Sequence, residues 1–418
     1  MARFLYSLVF ILCLPLILAR LLYRAWRAPA YARRWPERFA VGGDLRPGGI
    51  WVHAVSVGES IAAAPMVRAL LRRYPQLPVT VTCMTPTGSE QIRKLFGEQV
   101  GHAYLPYDLP WLQRRLIRRL QPRIAIIMET ELWPNMVAEC GRAGVPVVLA
   151  NGRLSERSAR GYQRVSWLVR PMFAALDWLA VQSAPEAERF MALGAQQHAL
   201  TVTGSIKFDL KPSAAVLQGA AGWRNQWGGR SVWIAASTHA GEDEVVLQAH
   251  RQLLAQHPQA LLILVPRHPE RFDGVARLVQ QAGLSLVRRS AGVQPGMSDQ
   301  VLLGDSMGEL MQFYACADVA FVGGSLIPGG GHNYLEPAAL GLPVLSGPHR
   351  FNFLEISDLL ENAGALVEIA DADALAAQVG RWLDDSASAR AAGEAGQAVV
   401  KANQGALERL LEGIGRLL

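Results

Sequence analysis

The 418-residue sequence predicts an α/β protein of two similar domains preceded by an apolar, arginine-flanked N-terminal helix. Three observations predict it. From Gly49 onward short β-rich runs alternate with helix-length amphipathic stretches, the pattern of parallel sheets covered by helices. The alternation comes as two series, separated by a stretch rich in Gly, Ala, Gln and Ser. The length suits two domains of roughly 180 to 200 residues better than one. Half of the residues are apolar and 18% are charged, which supplies buried cores and excludes a disordered or coiled-coil chain.

The first element is the N-terminal segment. Residues 4–19 carry no charge, and residues 1–40 hold seven arginines (Arg3, Arg20, Arg24, Arg27, Arg33, Arg34, Arg38) against Glu37 alone. That excess equals the net charge of the whole chain, +6, so the rest of the protein is formally neutral. A nucleic-acid binder would need a basic face on its folded body, whereas a basic cluster beside an apolar run suits an anionic membrane surface. The run is short for a straight span, which needs about 20 residues, so spanning with a snorkelling Arg20 and lying in the interface both remain open. No small-residue cleavage site precedes the arginines, and arginines after an apolar run keep the downstream chain in the cytoplasm. Residues 1–26 are therefore expected to be a membrane anchor outside the core, irregular at Pro15.

In the domain 27–210 the strand candidates are 50–57, 79–84, 124–128, 145–150 and 178–181; in the domain 231–418 they are 232–236, 261–265, 301–303, 319–322, 343–345 and 366–369. Residues 211–230 are expected to be the linker. Cys13, Cys83, Cys140 and Cys316 are scattered without metal-ligand or disulfide-framework spacing, which fits a reducing cytoplasm.

Ligands of open α/β sheets bind outside the carboxyl ends of the strands, so residues just after strands carry the functional candidates. After the first strand comes Ser56-Val57-Gly58-Glu59, where Glu59 is either a first-turn acid favoured by the helix dipole or a base aimed at substrate. Glu129-Thr130-Glu131-Leu132-Trp133-Pro134 follows the apolar run ending at Met128. Two carboxylates at i and i+2 there are unusual for structure alone, although one of them can cap the next helix. Lys207, near the close of the first domain, is either a solvated cation or a contact for an anionic donor.

In the second domain, residues 323–331 contain five glycines between an apolar strand and a helix, followed by His332, Asn333, Tyr334, Leu335 and Glu336. Such a loop brings backbone close to a ligand and presents free N–H groups to phosphate, and Glu336 can reach ribose hydroxyls. Pro266-Arg267-His268-Pro269 offers an anion contact, and Gly308-Glu309-Leu310 opens another helix where backbone can meet a base or ribose. GxGxxG, GxxxxGK, GxSxG and HExxH are all absent, and the one DxD triplet, at 371–373, precedes a helical run as a cap would.

These residues, with Met84 to Ser89 and Gly204 to Asp209, resemble the Kdo transferases (3-deoxy-D-manno-octulosonic acid transferases) over essentially the whole chain. The resemblance implies a GT-B-type fold, two Rossmann-like domains facing a cleft. It implies inverting, metal-free and cofactor-free transfer of Kdo from CMP-Kdo to a lipid A precursor (lipid IVA) in lipopolysaccharide core assembly, on the cytoplasmic face of the inner membrane. Glu59 would be the general base, with Glu129 and Lys207 assisting at the transition state. Arg267, His268, Gly308 to Leu310, and Asn333, Tyr334, Leu335 and Glu336 would contact CMP. The rival readings are a GT-B enzyme using a UDP-sugar and a non-catalytic sugar-nucleotide-binding membrane protein.

Overall fold

The computed structural model describes all 418 residues. Leucine, alanine and arginine carry helix α1 (Ala2–Arg27) unbroken through Pro15. Its faces differ. Ser7 and Leu21 are buried, and Phe10, Leu14, Ile17 and Leu18, spaced three and four apart, pack against Tyr107, Leu109 and Leu112. The Asn135 amide donates to Ser7 Oγ at 3.0 Å. Phe4, Leu5, Leu8, Leu12, Leu16 and Leu22 are exposed. The segment expected to stand outside the core therefore contributes one face to it.

The first unit, Met1–Asp209 with Gln404–Leu418, continues with β1 (Ile50–His53), α2 (Val57–Arg73), β2 (Val79–Cys83), α3 (Pro86–Phe96), β3 (Gly101–Tyr104), α4 (Pro110–Leu120), β4 (Ile124–Met128), α5 (Pro134–Arg142), β5 (Val147–Gly152), α6 (Glu156–Gln163), α7 (Ser166–Ala174), β6 (Trp178–Val181), α8 (Ala184–Ala192) and β7 (Leu200–Val202). The strands pair in parallel in the order β3-β2-β1-β4-β5-β6-β7. β1, β2 and β4 are buried along their whole length, as parallel strands covered on both faces must be. Strand order reverses between β1 and β4, so the turns after these two strands flank the switch point.

The second unit, Leu210–Asn403, contains α9 (Ala214–Gln226), β8 (Val232–Thr238), α10 (Glu242–Leu254), β9 (Leu261–Pro266), α11 (Phe272–Gln281), β10 (Leu286–Arg288), β11 (Val301–Leu303), α12 (Leu310–Ala315), β12 (Val319–Val322), α13 (Leu335–Ala339), β13 (Val344–Ser346), α14 (Leu354–Asn362), β14 (Leu366–Glu368), α15 (Ala372–Asp384) and α16 (Ser386–Ala402). Its sheet is also parallel, in the order β10-β11-β9-β8-β12-β13-β14, with the switch point between β8 and β12.

The structure departs from the expected domain limits twice. Residues 211–230 are mostly helix α9, whose Ala220, together with Trp227 just beyond it, is buried in the second unit's core, so this stretch is no free linker. The last helix, α17 (Ala406–Gly415), belongs to the first unit. Ala406, Leu410, Leu411 and Ile414 join the core beside α2, and the Asp209 carboxylate accepts from Gly405 and Leu407 N–H, both at 2.6 Å. The first strand also stops four residues early, at His53, because Ser56 caps α2 and turns Val57 into helix.

Candidate functional site

In the first unit the turn after β1 is built by one serine and one glutamate. Ser56 is the N-cap of α2, its Oγ accepting from the Glu59 N–H, while Glu59 Oε1 accepts from Ser56 Oγ at 2.9 Å and Oε2 from the Val55 N–H at 2.8 Å. This reciprocal arrangement is a capping box with its glutamate turned toward the strand end. Glu59 is only 8% exposed. Burial raises its carboxyl to about 7, against the opposing pull of the Val55 and Ser56 donors and with help from the charges of Glu131 and Glu129. A carboxyl poised near neutrality can take a proton from a hydroxyl at physiological pH.

Glu129 and Glu131 thus stand close enough to Glu59 to repel it, across the switch point. Glu129 has φ 55°, a left-handed backbone uncommon outside glycine, held by its N–H donating to the Ala150 carbonyl at 2.9 Å. Glu131 is held above the usual range by burial and by Glu129. Neither caps α5. The free N–H groups of Asn135 and Met136 go to the Asp108 carboxylate, each at 2.9 Å, and Asp108 is itself raised to about 6 by burial. Lys207 lies on a single helical turn, Ile206–Phe208, with no ion pair to either glutamate. Its turn is pulled toward the end of β5 because Asn151 Oδ1 accepts the Ile206 N–H at 3.2 Å. The Met84–Ser89 motif is structural: Thr85 Oγ1 accepts the Gly88 N–H at 3.1 Å, and a Cβ on Gly88 would lie 2.9 Å from that oxygen.

In the second unit one buried carboxylate organises both turns at the switch point. Glu242, at the start of α10 and 0% exposed, accepts four backbone N–H groups: His239 at 2.9 Å, Gly324 at 2.7 Å, Ser325 at 3.0 Å and Leu326 at 2.9 Å. It ties the turn after β8 to the glycine loop after β12. Asp243 beside it accepts from Thr238 Oγ1 and pairs with Arg271, which also donates to the Thr238 carbonyl. Arg267 keeps an exposed guanidinium, with its own N–H on the Thr238 carbonyl at 3.0 Å. The rings of His239, His268 and His332 meet here, His239 Nε2 lying 2.8 Å from His332 Nε2.

The remaining expected contacts divide. Asn333 donates to Glu336 at 3.2 Å, and burial raises the Glu336 carboxyl against the pull of Asn333 and Arg267. Tyr334 and Leu335, by contrast, are 0% exposed, Tyr334 bonded to Ser346 at 2.8 Å, so neither residue presents a surface to a ligand. Glu309 is likewise occupied. Burial would raise it, but Arg289 at 2.7 Å and Ser306 hold it below its ordinary range, leaving the Gly308–Leu310 backbone as the surface on offer. No group of three or more His, Cys, Asp or Glu residues is arranged to hold a metal ion.

The first unit matches, over residues 33–210, the family profile described as 3-Deoxy-D-manno-octulosonic-acid transferase (kdotransferase), and residues 242–399 match Glycosyl transferases group 1. The 3-deoxy-D-manno-octulosonic acid transferase of Haemophilus influenzae is 45% identical over 417 residues, 99% of this chain and 98% of that protein. This chain belongs to the Kdo transferase family. It is a glycosyltransferase with a GT-B-type pair of sheets. The C-terminal CMP-Kdo binding domain of WaaA from Acinetobacter baumannii is 40% identical over 48% of this chain and 99% of that domain, with a TM-score of 0.40. The UDP-GlcNAc 2-epimerase from Neisseria meningitidis, 11% identical with a TM-score of 0.59 over 88% of this chain and 100% of that one, shares the fold.

The raised Glu59 carboxyl makes a direct expectation for this transferase. Folding lifts that group from an ordinary 4.5 to about 7, so the folded state holds the proton more tightly than the unfolded chain. The stability this contributes is present below pH 4.5 and is lost as pH climbs to 7. Carbon-13 NMR of glutamate-labelled protein should show one carboxyl titrating near 7 that vanishes in Glu59→Gln; all glutamates titrating below 5.5 would contradict it.

Proposed function

We propose that this transferase moves Kdo from CMP-Kdo to a lipid A precursor (lipid IVA), with inversion at the sugar and without a metal or other cofactor, in lipopolysaccharide core biosynthesis. The single observation that carries the reading is the buried Glu59 carboxyl, raised toward neutrality at the switch point of the first sheet beside Glu129 and Glu131. An acceptor hydroxyl is a poor nucleophile until a base takes its proton, and Glu59 is that base. The hydroxyl oxygen bonds to the anomeric carbon as the bond from that carbon to the CMP phosphate breaks. Glu129 and Lys207 assist as charge redistributes, Lys207 as the cation without a carboxylate partner. Arg267, His268 and the glycine-loop backbone receive the CMP phosphate, the Gly308–Leu310 backbone with Asn333 and Glu336 the nucleoside.

Helix α1 supports a place on the cytoplasmic face of the inner membrane. One face is packed on the domain, while the opposite face carries Leu5, Leu8, Leu12 and Leu16 into solvent, with Arg20, Arg24 and Arg27 following along the helix. An apolar stripe with flanking arginines inserts into the interfacial region of an anionic bilayer. The packed face favours lying along the surface over standing upright through it.

Glu59→Gln should leave CMP binding intact and lower transfer by about 10²-fold or more, the scale of losing a general base. Turnover near that of the unaltered enzyme, or inhibition of transfer by UDP in preference to CMP, would sink the assignment. For the membrane reading, Leu8→Gln, Leu12→Gln and Leu16→Gln together should weaken co-sedimentation with anionic vesicles while leaving the melting temperature unchanged. The arginines that remain, each worth about 1 kcal/mol near such a surface, should keep the residual binding salt-sensitive. Undiminished pelleting at high salt would place the contact elsewhere.

A further inference from the structure

His239 follows β8 and His332 closes the glycine loop that follows β12, the two strands that meet at the switch point of the second sheet. Their rings lie 5° from parallel, and Nε2 faces Nε2 at 2.8 Å. Gly324 makes room for this: a Cβ there would stand 3.0 Å from the His332 ring, and its φ of +70° favours glycine. The His268 ring sits edge-on to His239 with centroids 5.3 Å apart. The Glu242 carboxylate holds the backbone of both partners' turns, through His239 N–H and through Gly324, Ser325 and Leu326 N–H. The two imidazoles are therefore set in place before any ligand arrives.

A nitrogen–nitrogen hydrogen bond of this length needs one protonated and one unprotonated Nε2. The pair can be neutral, or it can carry one positive charge on the donating ring, but it cannot carry two without breaking. The groups facing it decide which state holds. Glu242, from α10, has spent its oxygens on four backbone donors. Arg267, His268 and Arg271, from the segment after β9, all oppose a further positive charge. Burial first holds His239 below its ordinary range, against the opposing pull of Glu242 and with His268, Arg271 and Arg267 adding to it, and burial followed by His239, Arg267 and His268 brings His332 down to about 4. These groups disfavour positive charge on the pair, and an anion arriving at Arg267 works against them, because its charge favours the protonated ring.

We propose that the His239–His332 pair is part of the donor subsite and takes up one proton when the donor's phosphate binds beside Arg267 and His268. The inference rests on the donor reading given above and adds two residues and a coupled proton to it. Protonation turns a neutral hydrogen-bonded pair into a cationic donor at the moment phosphate charge has to be held, and releases that charge when the nucleotide leaves.

The test is calorimetry of the full-length protein with the methyl ester of CMP, a phosphodiester that does not itself titrate near neutrality. Binding heats measured at pH 7 in buffers of different ionisation enthalpy give the number of protons exchanged. The expected result is net proton uptake, with affinity that tightens as pH falls from 8 to 6.5. His239→Gln and His332→Gln, which keep an amide in place of the ring, should abolish the uptake and weaken binding about tenfold, the effect of losing one charge-assisted hydrogen bond. Binding of the probe to the unaltered protein without proton uptake overturns the proposal and leaves the donor reading standing. Uptake that persists in both variants assigns the proton to His268 and also overturns it. Failure of the probe to bind at all would bring down the donor reading, and this inference with it.

Discussion

The saturation of one buried carboxylate underlies the arrangement of the second unit. An ionised glutamate with no solvent exposure is unfavourable by several kcal/mol unless its oxygens are fully bonded. Glu242 meets that demand with four backbone N–H groups and the start of helix α10, whose dipole favours negative charge. Each charge-assisted bond contributes about 1.5 to 3 kcal/mol, so together they outweigh desolvation and lock two loops to one point. Five glycines that would otherwise leave residues 323–331 mobile are held at their first turn. The turn carrying His239 and the first turn of the glycine loop are placed by that lock.

The first unit uses the same device incompletely, and the difference is chemical. Glu59 also sits at the start of a helix after the switch-point strand, but it accepts only from Val55 N–H and Ser56 Oγ, and it faces Glu129 and Glu131. Two donors do not offset burial plus two like charges, so the carboxyl rises to about 7. The cap of a first-turn acid thus also holds Glu59 where burial, with Glu131 and Glu129 adding to it, raises its carboxyl, the geometry on which the proposed general base rests.

Much of this was legible in the sequence because parallel strands announce themselves as short apolar runs. Eleven runs matched strands, and the candidate glutamates and the glycine loop lay just after them. The three remaining strands, β3, β7 and β10, are short and carry polar residues (Gly-His-Ala-Tyr, Leu-Thr-Val and Leu-Val-Arg), which weakens their signal. Glu242, Asp108 and Asn151 escaped notice because an acid or amide that caps a distant turn has no local signature; only the fold brings Asp108 to α5 or Asn151 to the turn carrying Lys207. Tyr334 illustrates the opposite error, a polar residue inside a binding motif whose hydroxyl is turned into the core toward Ser346. Helix α1 was legible as apolar and basic, yet its contact with Tyr107, Leu109 and Leu112 depends on residues about a hundred positions away.

The central claim is that these two units perform Kdo transfer from CMP-Kdo to a lipid A precursor. The most direct measurement is the product mass after the purified full-length protein is incubated with CMP-Kdo and lipid IVA in mixed micelles containing EDTA. The account predicts acceptor whose mass has grown by one or more whole Kdo residues, with CMP released in equal amount. Unchanged acceptor with CMP-Kdo, alongside glycosylated acceptor when a UDP-sugar is supplied instead, would contradict it.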